Sequence, residues 1–491
     1  MAFWDRFRRK QNKKRNFTAS HTGRLFNDWN TFNSSPDGEL ENNLKLMRDR
    51  ARDLARNNGI ITRYLQIMKE GVVGNQGFRL KVKGRDGDGS LDDFANDLIE
   101  YKWYQFADNP EVSDTYNLND LYEAIVVGLL RDGEILVQKI KTREGLKLKF
   151  IEPDFLDSRL NKDISETRQI RMGVEIDRRT LKPLGYWLKN NPYQDALPDQ
   201  QLTRSQRINA EDMMHIYQPE RFGQTRGYPK IASVMTSIKW LNDYRLSELI
   251  ASKVGASKMG FITSPSGDGY AESYGGNEYL PQMNFEPGTF DQLPDGYDIK
   301  FFDPQHPTSQ MPDYDKAMLR TIASGLGVSY ASLSGDLTQT SFSSARVGLI
   351  SERDSFKQMQ SFIVHHFAMP LYREWLLQAI TVGDVKLPIT KYDKFSNPTF
   401  TSRAYESVDP LKQAQANILN VNQGLATMQD VLAQQGKDVA EHFSEIDSEK
   451  ALSNKFDIEF ALEPFGNKFN PMTGELFDTE NLNEDTDNAE E

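Results

Sequence analysis

The 491-residue chain has no cysteine. That excludes disulfides, zinc–thiolate sites and cysteine nucleophiles, and it favours an intracellular setting. Histidine is scarce as well, with six in all and no HxxxH pair, which argues against a histidine-based metal site. Long apolar runs are missing. The longest, Ala124 to Leu130, has seven residues against the ~18 that mark a transmembrane candidate, so no membrane span is expected. The opening MAFWDRFRRKQNKKR lacks the hydrophobic stretch of a secretory signal. Positive charge is in deficit, with 59 Lys and Arg against 71 Asp and Glu, a net −12. A tight electrostatic grip on nucleic acid over most of the surface is thereby excluded, although DNA as a partner is not.

What is present is enough for a core. Hydrophobic residues make up 38% and aromatics 11%, and at roughly 100–200 residues per domain the length predicts about three structural units. Charge is segregated at the ends. Met1 to Arg15 holds seven bases and one acid, while Pro471 to Glu491 holds eight acids and no base; such blocks read as solvated tails or docking arms. Between them, apolar periodicity predicts helices over Leu40–Leu54, Ile60–Gly71, Leu91–Phe106 and Leu118–Arg131. Short strands are predicted at Glu134–Ile140, Leu146–Ile151, Gly173–Asp177 and Gly185–Leu188, which makes the region from about 130 to 220 α+β. Helices are then expected over Ile231–Val254, Tyr314–Ser324 and Ala345–Ile380, the last kinked at Pro370. Ser264–Pro312, with seven prolines, reads as loop and short strand, and Pro410–Asn454 as glutamine-rich helix.

Catalytic patterns are absent. The one Gly-Lys, Gly436-Lys437, is followed by Asp438 and has no upstream glycine, so no phosphate-cradling loop exists. Asp86-Gly87-Asp88-Gly89-Ser90 begins like a calcium loop but has Leu91 at the sixth position and Asp97 at the twelfth. There is no GxSxG elbow. Asp313 and Asp315 are explained by capping a helix start. No cofactor and no metal is expected, and the chain is not expected to be an enzyme.

Several segments in order resemble the lambda-type portal proteins of tailed bacteriophages. They are Arg48 to Asn58, Gly71 to Gly77, Arg131-Asp132-Gly133-Glu134, Phe150 to Asp154, and His215-Ile216-Tyr217 with Arg221 to Pro229. Ile322 to Tyr330, Ser343-Ser344-Ala345-Arg346 and Val408-Asp409-Pro410 complete the series. Each piece alone is weak; their order over Arg48 to Gly436 makes the match specific. The motif residues Gln224, Arg226, Gly227, Ser344, Arg346, Asp409 and Pro410 carry it as structural positions.

The resemblance implies a mainly helical α+β portal fold of wing, stem, clip and crown, assembling as a ring, usually of twelve subunits, at one vertex of a virion capsid. It implies a channel for double-stranded DNA in packaging and ejection. The implied partners are the terminase large subunit, the major capsid or scaffold protein and the head–tail connector, with no membrane. On the chain this implies a basic arm at 1–37, wing at 38–230, stem helices at 231–263 and 313–331, and clip at 264–312. A tunnel loop would follow at 332–344, a kinked helix returning to the wing at 345–400, crown-like helices at 401–465 and an acidic tail at 466–491. In the loop, Thr338, Gln339, Thr340, Ser341, Phe342 and Ser343 are the DNA-facing candidates: the Ser, Thr and Gln side chains suit weak, replaceable phosphate contacts, Phe342 is apolar, and the alternative is an ordinary helix–helix connector. Lys316 and Arg320 are expected either as channel-facing stem cations or as ordinary surface charges. Gly227 is expected to supply a turn, and Arg226 to pair with a carboxylate on a neighbouring subunit or within its own. The competing readings are another head or neck ring component and a DNA-processing nuclease.

Overall fold

Three helices open the computed structural model, which describes residues 33–190, 205–256, 260–263, 298–301, 310–338, 341–405, 409–435, 437 and 439–456. They are α1 (Pro36–Glu41), α2 (Leu44–Asn57) and α3 (Gly59–Val72). The helix expected over Leu40–Leu54 is thus two, because the chain turns at Asn42 and Asn43. Asn58 serves both neighbours. Its extended backbone ends α2, and its side-chain oxygen accepts the N–H groups of Ile60 and Ile61 at 3.1 and 3.2 Å to start α3. After β1 (Arg79–Lys81) come α4 (Asp93–Asp108) and α5 (Leu118–Arg131). The last has the bounds read from its apolar spacing, with a capping box between Asn117 and Asp120.

The predicted strands form, along with others too short or too polar to read. β2 (Glu134–Thr142) and β3 (Gly145–Ile151) make a hairpin. A five-stranded antiparallel meander follows: β4 (Lys162–Asp163), β5 (Arg168–Arg171), β6 (Val174–Asp177), β7 (Pro183–Leu188) and β8 (Gln206–Asn209). β9 (Met213–Tyr217) then returns to pair with β2, giving the order β3-β2-β9. Leu136, Ile151, Leu156, Val174, Ile176, Tyr186, Leu188 and Met213 form a small core between the two sheets.

A short 3₁₀ segment, Lys230–Val234, leads into α6 (Met235–Ala256). β10 (Gly260–Thr263) pairs antiparallel with β11 (Asp298–Phe301) and closes the base of the proline-rich excursion, whose interior lies outside the described residues. α7 (Met311–Leu326) runs beside α6, joined by a two-point contact in which Arg245 donates to both Asp315 oxygens at 2.6 and 2.8 Å. α8 (Tyr330–Ser334) is a single turn, and α9 (Phe342–Ile363) begins the long C-terminal helix. The break in that helix precedes Pro370. Val364–Ala368 is a π-helical turn continuous with α9, and α10 (Met369–Val382) follows with Pro370 as its second residue, so the wider turn falls where proline's missing N–H interrupts the ladder.

Beyond α11 (Tyr392–Phe395), β12 (Thr399–Thr401) pairs antiparallel with β1, clasping the two ends of this region. Their neighbours fill the main core, where Trp103 of α4 meets Trp375 and Tyr372 of α10 at centroid distances of 5.1 and 5.5 Å. The chain ends in α12 (Pro410–Asn422), α13 (Met428–Gln434) and α14 (Val439–Phe456), so the glutamine-rich helix is three pieces. No described helix is long and apolar enough to cross a membrane.

Candidate functional site

The segments that are scattered along the sequence meet at one carboxylate. Glu134, fully buried at the head of β2, accepts five hydrogen bonds. Its Oε1 takes Arg48 Nη2 at 2.6 Å, Arg226 Nε at 2.8 Å and Arg226 Nη2 at 2.5 Å. Its Oε2 takes His215 Nε2 at 2.9 Å and the backbone N–H of Gly227 at 2.8 Å. The arginines are anchored elsewhere as well. Arg48 donates to the carbonyls of Asp132 and Gly227, and Arg226 to those of Met172 and Pro153. Arg52, one turn beyond Arg48 on α2, binds the carboxylates of Asp132 and Asp154.

Electrostatics follow from this packing. Desolvation would raise the Glu134 pKa, but the two guanidiniums outweigh it and hold the carboxyl well below its usual range. Burial pushes His215 down, so the imidazole stays neutral, stacked near Tyr217 and edge-on to Tyr186. A histidine beside a carboxylate is a familiar acid–base arrangement. Here both groups are buried, and every acceptor position of Glu134 is occupied, so the pair holds the fold. Among the described residues no group of three or more His, Asp and Glu is placed to hold a metal ion.

Two glycines let the segments approach. Gly133 sits at φ +88°, and a Cβ there would lie 2.1 Å from the carbonyl carbon of Tyr228. Gly227 is not the turn expected of it: its φ is negative-side, and its value is proximity, since a Cβ would fall 2.1 Å from the Gly133 carbonyl oxygen. Gln224 shapes the preceding loop, accepting the N–H of Glu220 at 3.0 Å and donating to the Arg226 carbonyl at 2.8 Å. Thr225 is tied through its N–H and hydroxyl to Asp37 of α1. Arg226 therefore pairs within its own chain, on a side chain with no exposed surface.

The loop candidates fall differently. Helix occupies both ends of 332–344: Ser332 to Ser334 belong to α8, and Phe342, Ser343 and Ser344 to α9, leaving 335–341 as the connector. Ser341 caps α9, its hydroxyl oxygen accepting the Ser344 N–H at 3.2 Å. Gln339 and Thr340 lie outside the described residues. Thr338 donates through its N–H and its hydroxyl to Asp336, which also accepts from the Tyr330 hydroxyl at 3.0 Å. Lys316 of α7 reaches the same carboxylate at 3.8 Å, and Arg320 lies over the Tyr330 ring at 5.4 Å. Lys316, Arg320 and Thr338 are thus brought together around Asp336, a residue that the sequence reading passed over. Arg346 is exposed on α9, and Asp409 with Pro410 starts α12, its carboxylate accepting the Lys412 N–H at 3.3 Å.

The buried polar groups of this α+β chain fasten segments that are far apart in sequence. The family described as phage portal protein, lambda family, matches residues 22–360, and the chain belongs to that family of structural proteins. It is 29% identical over 452 residues to a probable portal protein of Halomonas phage phiHAP-1, covering 89% of this chain and 87% of that one. It is 25% identical to portal protein B of Escherichia phage lambda, covering 87% of each. Among solved structures, the neck of an empty gene transfer agent particle overlays with a TM-score of 0.41 at 14% identity, covering 77% of this chain and 90% of that chain.

Proposed function

We propose that twelve copies of this portal protein close into a ring at one capsid vertex, and that double-stranded DNA passes through its channel during packaging and ejection without sequence readout. Family membership across residues 22–360 carries the reading. The surface of the single chain supports it. α6 exposes Trp240 at 63%, with Leu246, Leu249 and Ile250; α9 exposes Val347 and Ile350; α12 exposes Leu411, Ile418 and Leu419. α6 and α9 also turn Ile238, Leu241, Phe356 and Ile363 into the main core, so the exposed apolar residues form second, outward faces that call for neighbours, and a ring supplies them.

In this assignment residues 38–230 are wing and α6 and α7 are stem. The excursion closed by β10 and β11 is clip, 335–341 is the channel loop, and α12 to α14 are crown. The clip would meet the terminase large subunit and later the head–tail connector, and the wing the capsid or scaffold protein. At −12 per copy the ring body is strongly acidic, so DNA slides past a repulsive wall within a Debye length of ~8 Å. The protein itself performs no catalysis in this role.

Native mass spectrometry with negative-stain imaging tests the proposal. Subunits of 56.2 kDa should give a particle twelve times that mass with a central hole. A stable monomer that cleaves DNA with added magnesium would overturn it, and a ring that holds 335–341 away from its axis would remove the loop assignment alone.

A further inference from the structure

α4 carries two faces. Ala95, Asn96, Ile99 and Trp103 are buried against the core. On the opposite side Phe94 is 83% exposed and Tyr101 61%, with Leu98 half-buried between them and Tyr104 a turn beyond at 44%. At 100° per residue, positions 94, 98 and 101 form one apolar stripe, and Asp97 and Asp108 run along its edge. The single base on α4, Lys102, is bound to Asp384 at 2.7 Å and does not offset those acids. Nearby, Lys394 is likewise engaged by Asp86 and Asp92. The result is an aromatic stripe with an acidic border and nothing in the described chain covering it.

The same sequence contains a matching segment. Residues 1–15 combine Phe3, Trp4 and Phe7 with seven bases and one acid, the inverse of the α4 surface in charge and its counterpart in aromatic content. The described chain starts at Asn33, and 32 residues can reach about 100 Å when extended, enough to meet α4 of the same copy or of an adjacent one. We infer that the outer face of α4 is the docking surface for this basic aromatic segment, with Phe3, Trp4 and Phe7 on the Phe94–Leu98–Tyr101 stripe and the arginines and lysines against Asp93, Asp97 and Asp108. The arm is then a strap that covers an apolar face of the wing. Apolar contact supplies the affinity, and the opposed charges fix where the segment settles.

Photocrosslinking in the full-length protein tests this. A benzoylphenylalanine placed at position 94 keeps an aromatic there, and after irradiation the crosslinked peptides are mapped by mass spectrometry. Crosslinks to residues 1–15 are expected, falling at least tenfold when Phe3→Ser, Trp4→Ser and Phe7→Ser are combined. That triple variant should also raise hydrogen exchange across Asp93–Asp108 while leaving exchange in α5 unchanged. Crosslinks that map to any other segment or to another protein, or α4 exchange untouched by the triple variant, would overturn the inference.

Discussion

The hub at Glu134 and the connector at Asp336 are both carboxylates that gather partners from several elements, yet they are built to opposite ends. Glu134 has no exposed surface and takes five donors from α2, β9 and the Arg226–Gly227 strand of chain. Asp336 is partly exposed, with 24% of its side chain open to solvent, and its partners are a tyrosine hydroxyl, a neighbouring threonine and a lysine at 3.8 Å. A buried ion held by many donors tolerates no rearrangement, since any lost partner leaves charge stranded in a medium that cannot solvate it. One that water reaches loses less when a contact opens, because water replaces the partner. In the assignment proposed above, rigidity around Glu134 and replaceable tethers around Asp336 are what a ring needs if its body must stay fixed while a polymer passes.

The largest effect that would break this comparison is at the hub. Glu134→Ala strands two buried guanidiniums and should cost about 3–5 kcal/mol in denaturant unfolding; a loss under about 1 kcal/mol would mean the hub is dispensable. Gly133→Ala is next, because the new Cβ meets both a positive φ and the Tyr228 backbone. A destabilisation above about 1 kcal/mol is expected, with no loss of the Glu134 charge. His215 gives a pH signature. Its folded-state pKa is lowered by burial, so below the unfolded value of about 6.5 the unfolded chain takes up a proton that the native one refuses. Stability should therefore fall as pH drops from 7.5 to 5.5, by at most about 1.4 kcal/mol per unit from this group. Glu134, with its depressed pKa, contributes no titration in that window. Melting curves of His215→Gln should be flatter over the same range than those of the parent. Asp336→Asn should have the smallest effect on stability, because water replaces the lost partners, yet it should raise hydrogen exchange in Gly335–Thr338. Equal exchange in parent and variant would show that Asp336 does not tether the connector.

Much of this was legible from periodicity. α5 and the β2–β3 hairpin could be read because their apolar residues alternate or recur against clear turn signals. β4 and β8 could not, since Lys162–Asp163 and Gln206–Asn209 have no buried side chain to set a period; only pairing with better strands makes them strands. The break in the long helix was placed by Pro370, but the distortion lies in the preceding turn. The hub was visible only in fragments. Arg48, Glu134 and Arg226 each stood out as a charge within a motif, and one signal pointed inward: Glu134 directly precedes the apolar Ile135-Leu136-Val137. What no spacing reveals is that charges 86 and 92 residues away converge on it. Asp336 was missed because a Gly-Asp in a polar stretch reads as a turn and nothing more.

The β1–β12 clasp has a bearing on how the chain is made. Arg79–Lys81 leaves the ribosome early, but its partner Thr399–Thr401 is synthesised some three hundred residues later. Throughout that interval β1 is an open strand edge beside an unfinished aromatic core, the kind of surface that pairs with other nascent chains. A transcript cut short before Thr399 would release a fragment whose β1 edge is never covered, and such fragments should fall into inclusion bodies. Covering the β1 edge would then rest on three residues translated some three hundred positions after it.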